Sequence, residues 1–538
     1  MPRDPPEHER AHHSGEKAMT RPNQHRTLGA VMTRAATLWP DKTAVRFRGE
    51  TITFEQLHRT ALQFLGQFQE AGLHVGDALL VMLDNGIAFP QVTVGAGLGG
   101  LVSVPVNTEY RGEMLRHILT HSGGRAIVTS SRFLDRVLDV RPETLRTILV
   151  VDADHALAVP DPGVRPVHLD APGDPIDRSE LDEVAIMYTS GTTGRAKGGV
   201  ISERHAFEYA HNAAEILELS DDDIYFAPLP LFHIAGQWAA LYACLQRGAT
   251  CVLTPKFSVS QFWTDCRDVR ATKTFLLGAM AQFLHGAPDD PAAVDNTLER
   301  MIVVPLIDEL DVFRRKFGVA VTTCYASTEV NLPLAPSPGS AVSNSTGVGR
   351  PVDGFTVRLL REDGTEAPPG TPGELCVRHD CGGVLLLRYH RDPAATAKLI
   401  VDGWHHSGDS FAVDEHGNYH FVDRLKDALR KRGENISSFE VESEIRSHPM
   451  VVECAVVGVA SSNTEQDVVA YVLPSPGADL TVSQIKNHVA MRAPKFMVPD
   501  EVHFVASFPT TPTGKIQKFK LREAAESTRS TKAARSEA

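Results

Sequence analysis

Apolar positions between Leu28 and Val151 follow two alternating rhythms. Leu62, Phe64, Leu65 and Phe68 fit one face of a helix, whereas Ala78–Leu83, Leu101–Val106, Ile127–Thr129 and Ile148–Val151 are short runs of strand length. Helical and strand-like stretches taking turns predict α/β layers. A Pro-, Asp- and Gly-rich stretch from Val159 to Asp177 reads as a separator between this half and the next. Beyond about Asp423 the texture changes. A helix with Phe439, Val441 and Ile445 precedes apolar runs Ala455–Val459 and Val468–Leu473, a helix near 481–492 and a strand near Val502–Val505. That is enough for a compact α+β domain of roughly 100 residues. Residues 1–24 lack apolar periodicity and read as a disordered arm, with Met19 an alternative start. The predicted order is an arm (1–24), a large α/β N-terminal domain of layered subdomains (25–422), a junction (423–426), a small α+β C-terminal domain (427–521) and a polar, frayed tail (522–538).

Composition narrows the function. Lys and Arg number 54 against 67 Asp and Glu, and the net charge of −13 argues against a mainly nucleic-acid-binding protein. Residues 86–108 carry no charge over a bilayer-spanning length. Their Pro90, Pro105, Gln91 and five Gly predict a buried helix–turn–strand instead of a membrane span. The N-terminus has no secretory h-region and the C-terminus no common address tag, so the expected location is cytoplasmic. Seven Cys without a CxxC make no disulfide framework, and Cys376 with Cys381 lacks a second pair for a zinc site. His8, His12 and His13 read as part of a solvated arm.

Several motifs carry chemistry. Gly95 to Gly100 fits GxGxxG, but a helix-like run precedes it and a strand-like run follows, the reverse of the dinucleotide fingerprint. Residues 188–199, YTSGTTGRAKGG, offer turning glycines (Gly191, Gly194), hydroxyls (Thr189, Ser190, Thr192, Thr193) and the charge of Lys197. Such a loop cradles a polyphosphate, although it is not a Walker A loop. Tyr325-Ala-Ser-Thr-Glu329 groups an aromatic face, hydroxyls and a carboxylate at a strand's end, and Glu329 suits Mg²⁺. His406-Ser-Gly-Asp409 places a carboxylate where it can grip ribose hydroxyls, and Lys515 sits on a Gly-containing turn.

Six segments in order resemble the AMP-forming acyl-adenylate synthetases, the superfamily of acyl-CoA ligases, luciferases and peptide-synthetase adenylation domains. They are TSGTTGRAKG (189–198), PLFHIAG (230–236), YASTE (325–329), GWHHSGD (403–409), DRLKDALRKRGENISSFEVE (423–442) and PTGKIQK (512–518). RGENISSFEVE most closely resembles the carnitine/crotonobetaine-type ligases, and the resemblance as a whole is to carnitine/crotonobetaine-type and fatty-acyl CoA ligases. The resemblance implies an ATP-dependent carboxylic acid:CoA ligase that makes acyl-AMP and then acyl-CoA, with ATP, Mg²⁺ and coenzyme A as partners of the acid. It implies that Thr189, Ser190, Gly191, Thr192, Thr193, Gly194 and Lys197 hold the polyphosphate, that Tyr325 stacks on adenine, and that Asp409 and Arg424 hold ribose. Thr328 touches the α-phosphate and the carboxylate, Glu329 holds the metal, and Lys515 bridges carboxylate and α-phosphate. Lys426 is the hinge of a mobile small domain, Gly433 lets the pantetheine arm pass, and His233, Gln237, Trp238 and Ala326 line the acyl pocket.

Two alternatives stay open: an acyl-AMP ligase that loads a carrier-protein phosphopantetheine, and an inactive nucleotide-binding interaction protein. The oligomeric state is open as well. Ala326 where the family usually has Gly, Val303-Val304-Pro305 in place of Gly-Gly-x-Pro, and Arg195-Ala196 in the phosphate loop depart from the pattern. Amino-acid-activating members have Asp after the motif's Phe. Here His233 follows Phe232, so the acid is expected to lack an α-ammonium group, and the Trp and the extra methyl favour a short or branched acyl chain.

Overall fold

The computed structural model describes residues 26–153, 161–189, 196–307, 309–337, 346–424, 429–431, 434–461, 466–493, 495–510 and 515–536. One sheet runs, edge to edge, Arg388–Tyr389, Lys197–Ser202, Glu183–Thr189, Val102–Pro105, Ala78–Met82, Ala126–Thr129, Thr147–Val150 and Val164–Pro166. From Glu183–Thr189 to Val164–Pro166 its strands are parallel. Such strands are covered on both faces, which is why they read as apolar runs and not as alternation. Leu79 and Val81 enter one core, and Leu80 and Met82 enter another on the opposite face.

A second, mostly parallel sheet runs Ala320–Thr322, Arg300–Val304, Lys273–Leu277, Ile224–Ala227, Thr250–Leu253, Thr43–Phe47 and Glu50–Thr53. The largest core joins the two sheets through helices Phe54–Glu70, Ala88–Leu98 and Glu203–Leu217. Thr53 and Gln56 start the first of these with a reciprocal capping box. The GxGxxG glycines serve helix packing. A Cβ on Gly95 would lie 2.6 Å from the Ala61 carbonyl oxygen, and one on Gly97 3.0 Å from the Leu28 side chain. Helix Ala88–Leu98 precedes strand Val102–Pro105, as the uncharged 86–108 stretch predicts. No helix among the described residues is long and apolar enough to cross a membrane. The third large sheet, antiparallel, runs Tyr325–Ser327, Asn331–Ala335, Gly347–Pro351, Tyr419–Arg424, Trp404–Val413, Gly373–His379 and Phe355–Leu360.

Two expectations are corrected. The stretch Val159 to Asp177 is no separator, because Val164–Pro166 is the edge strand of the first sheet. Gly173 N also donates to the Leu62 carbonyl at 2.7 Å, and a Cβ on Gly173 would be 2.6 Å from Gly66 N. Pro and Gly there reflect an irregular path pressed against helix Phe54–Glu70, not an absence of contacts. The polar tail is helical as well, over Lys518–Ser536. Leu521 and Ala525 pack on the small domain's sheet of Val451–Ala460, Gln466–Pro474 and Glu501–Phe504, while Arg529 pairs with Asp467 at 2.9 Å and Glu501 at 2.7 Å. A narrow apolar stripe and two ion pairs suffice where overall polarity suggested fraying.

Candidate active site

Asp409 owes its position to an irregularity in strand pairing. Glu374 pairs with Ser410 and Cys376 with His406, so Ser407, Gly408 and Asp409 bulge opposite Leu375 alone. Gly408 takes φ +73, a left-handed conformation that glycine adopts without a Cβ clash, and its N–H donates to Glu374 Oε1 at 3.0 Å. The bulge turns Asp409 toward Tyr325, whose hydroxyl donates to Asp409 Oδ2 at 2.6 Å. Burial first, and then the neighbouring Asp409 charge, push the Tyr325 hydroxyl well above its usual pKa. Tyr325 is only 8% exposed and rests on the edge of Phe411, so at most a limited part of its ring is open to a ligand. Arg424 pairs with Asp409 across the strands.

Beyond Tyr325 the chain turns sharply. Ser327 Oγ accepts from the N–H groups of Glu329 and Val330, both at 3.2 Å. Glu329 is then met by a residue the sequence reading does not single out. Tyr389 donates its hydroxyl to Glu329 Oε1 at 2.9 Å, and Lys197 Nζ lies 5.0 Å from the centre of its ring. The three meet because edge strand Arg388–Tyr389 pairs with Lys197–Ser202, Tyr389 opposite Gly199. A Cβ on Gly199 would crowd Leu386 at 2.8 Å and meet the methyl of the buried Thr328 at 3.4 Å, so the glycine allows this close approach. Thr189 and Lys197 are paired at the mouth of the hairpin, while Ser190, Gly191, Thr192, Thr193 and Gly194 lie outside the described residues. Its base is braced by His121 Nδ1, 2.8 Å from the Tyr188 hydroxyl, and His117 Nε2, 2.9 Å from the Ala196 carbonyl.

The expected acyl wall is a different construction. Ala235–Tyr242 winds as a π-helix, a form that tends to mark functional segments. It begins hard against the Pro230 carbonyl oxygen, 2.2 Å from where a Cβ on Gly236 would stand. Gln237 and Trp238 are buried in it, and Trp238 packs edgewise on His205 and Tyr209. The Gln237 Oε1 has no hydrogen-bond partner among the described residues. Ala326 is partly buried against the same core. Burial lowers the His205 pKa to about 3 and that of His233 to about 4, with the Lys515 charge adding to the latter. The charge of Lys515, an exposed lysine of the small domain, thus reaches His233 at the start of the expected acyl wall.

The junction between the domains is bonded across. Asp423 accepts from Ser438 N at 2.6 Å and from Ser438 Oγ at 3.2 Å, and Ser437 Oγ donates to the Val422 carbonyl at 2.7 Å. Asp423 and Ser437 thus cap helix Ser438–Arg446 from both sides of the junction. Lys426 and Gly433 lie outside the described residues.

Residues 32–385 match the AMP-binding enzyme family, and residues 440–515 match the AMP-binding enzyme C-terminal domain. A crotonobetaine/carnitine–CoA ligase of Citrobacter koseri is 30% identical over 480 residues, spanning 87% of this chain and 92% of that protein. The fatty acid–[acyl-carrier-protein] ligase ScoC of Streptomyces coeruleorubidus is 31% identical over 500 residues, spanning 90% and 93%. The ATP-bound MatB of Rhodopseudomonas palustris superposes with a TM-score of 0.83 at 26% identity, covering 93% of this chain and 99% of that one.

Proposed function

The chain belongs to the AMP-binding enzyme family, and from that premise we propose how its residues divide an ATP-dependent acid–thiol ligation. The activity is that of a carboxylic acid–CoA ligase: acid and ATP give acyl-AMP and diphosphate, then acyl-AMP and CoA give acyl-CoA and AMP. The observation that carries the assignment of roles is a pair of contact groups drawn from separate segments, Lys197–Tyr389–Glu329 and Tyr325–Asp409.

Two anions must meet in the first step, the acid's carboxylate and the α-phosphate. Lys515 is the cation that neutralises them, and its bearing on His233 supports that pose. Asp409 and Arg424 take the ribose, and Tyr325 offers part of its ring to adenine. Thr328 stands at the α-phosphate, and Lys197 with the residue 189–194 loop holds the polyphosphate. A hard cation fits Glu329, whose Oε1 is oriented by Tyr389 and whose neighbours are hydroxyls. Mg²⁺ bound there supplies positive charge to the polyphosphate. Rotation of the small domain about Lys426 then takes Lys515 away and brings Gly433 to the thiol path. His233, Gln237, Trp238 and Ala326 select the acid, which has no α-ammonium group because no fixed negative charge follows Phe232.

A carrier-protein thiol is the second reading of the acceptor, favoured by the equal similarity to ScoC. Purified protein incubated with ATP, Mg²⁺ and a panel of carboxylic acids decides. AMP release that requires free CoA supports the first reading, and release that requires a phosphopantetheinylated carrier protein replaces it.

A further inference from the structure

Cys376 and His406 face each other across antiparallel strands Gly373–His379 and Trp404–Val413. Cys376 Sγ is 3.5 Å from His406 Nδ1, and that nitrogen is 2.7 Å from Glu374 Oε2. The three ligand atoms lie within 4.8 Å of one another. None of these residues belongs to the ligation machinery assigned above. Cys376 is buried, while the side chains of Glu374 and His406 are 20% and 21% exposed. The cluster is therefore buried at its cysteine and reaches solvent in part through the side chains of its histidine and glutamate.

We propose that Glu374, Cys376 and His406 form a binding site for a zinc-class divalent cation, directly behind the bulge that carries Asp409. Zinc–sulfur and zinc–nitrogen bonds of ~2.3 and ~2.0 Å at a tetrahedral angle place the two ligand atoms ~3.5 Å apart. That is the separation Cys376 and His406 already have. The Glu374 oxygen has to move back from His406 Nδ1 by about half an ångström, from hydrogen-bonding to coordinating distance. One thiolate, one imidazole and one carboxylate suit zinc or cobalt, whereas magnesium and calcium take all-oxygen shells. Three protein ligands leave a fourth position for water on the exposed side.

The surroundings also bear on the site. Glu374 Oε1 accepts from Gly408 N, which fixes the carboxylate from behind. Burial, with the Glu374 charge adding to it, pushes the Cys376 thiol up to about 12, while Arg358 beside it acts in the opposite direction. On binding, the thiol releases its proton to solvent, and His406 coordinates through Nδ1 with its proton on Nε2. A dication with one thiolate and one carboxylate is then neutral, so the added repulsion with Arg358 is small. In sequence, Cys376 lacks the paired spacing of a zinc motif. The site exists only because the strands pair Cys376 with His406.

Full-length protein, stripped with a chelator and then titrated with Co²⁺ and Zn²⁺, tests this. One equivalent of Co²⁺ should bind with a thiolate-to-cobalt charge-transfer band in the near ultraviolet, and Zn²⁺ should bleach it. Cys376→Ala should abolish the band. His406→Gln, at a part-exposed position, should weaken binding by more than the ~10–100-fold typical of a mere outer-shell partner. Circular dichroism and melting of both variants without metal check that they fold. Absence of the band in the parent protein, or its survival in folded Cys376→Ala, overturns the proposal. So does cobalt binding without charge transfer, which would place the metal on histidines alone.

Discussion

Tyr389 holds Glu329 and Tyr325 holds Asp409, whereas the buried Gln237 of the expected acyl wall presents an amide oxygen with no partner among the described residues. The first group lies on paired strands and a tight turn, the second on a π-helix set into the main core. An end that handles the same nucleotide in every turnover gains from preorganisation. An end that selects an acid can keep polar capacity for the ligand to meet, at a cost of ~1–3 kcal/mol for a buried unsatisfied group. On the proposed roles, common chemistry would be built into the first end and choice into the second.

Five measurements would sharpen or break that contrast. The largest effect is expected from Lys515→Ala, which should slow acyl-AMP formation ~10²–10³-fold while supplied acyl-AMP is consumed with CoA at nearly the parent rate. Equal damage to both half-reactions would deny Lys515 its separate role. Asp409→Asn weakens a hydrogen bond to a charged group, worth ~1.5–3 kcal/mol, and should raise KM for ATP ~10–100-fold with KM for the acid unchanged. A parallel rise in both constants would mean the two ends are not independent. Tyr389→Phe should increase the Mg²⁺ needed for half-maximal adenylation by ~3–10-fold, and an unchanged Mg²⁺ titration would leave the hydroxyl without a part in orienting Glu329.

At the acyl end, Gln237→Met should alter the ranking of acids and raise stability by ~1 kcal/mol, because it removes a buried amide oxygen with no partner among the described residues. Chemical denaturation and the acid panel read the two effects, and a strongly destabilised variant would show that the amide is satisfied after all. The smallest effect concerns pH. His205 and His233 titrate near 3 and 4 in the folded protein but near 6.5 when unfolded. Between those values the unfolded chain binds more protons, so their contribution is complete above about pH 6.5 and is lost as pH falls toward 4. Melting temperature followed from pH 7 to pH 4 should decline, less steeply in His233→Gln. An identical slope in that variant would exclude His233 as a source.

What the sequence made legible follows the same divide. The phosphate loop, YASTE and the Asp409 segment are local strings whose chemistry can be named before any fold is known. Tyr389 could not be found that way, since it matters only because it pairs opposite Gly199 and so reaches Glu329. Composition misled twice, at the stretch from Val159 to Asp177 and in the tail helix Lys518–Ser536. In both places contacts with distant residues, Leu62 in one and Asp467 and Glu501 in the other, give order to polar or Pro-rich sequence. Cys376 and His406 are 30 residues apart in the chain, and nothing short of strand register brings them together.

The hydrogen bonds of Asp423 and Ser437 act as a detent on the proposed rotation. They tie the last strand of the large domain to the first helix of the small one, in the pose where Lys515 bears on His233. The proposed rotation about Lys426 would separate the two sides, so the buried Asp423 carboxylate would have to exchange its serine partners for others or for water. The proposed swing would then be a threshold event between two seats and not a drift. On the proposed roles, ATP would meet a small domain already seated for adenylation, and the resistance to turning would be felt only after the acyl-adenylate has formed.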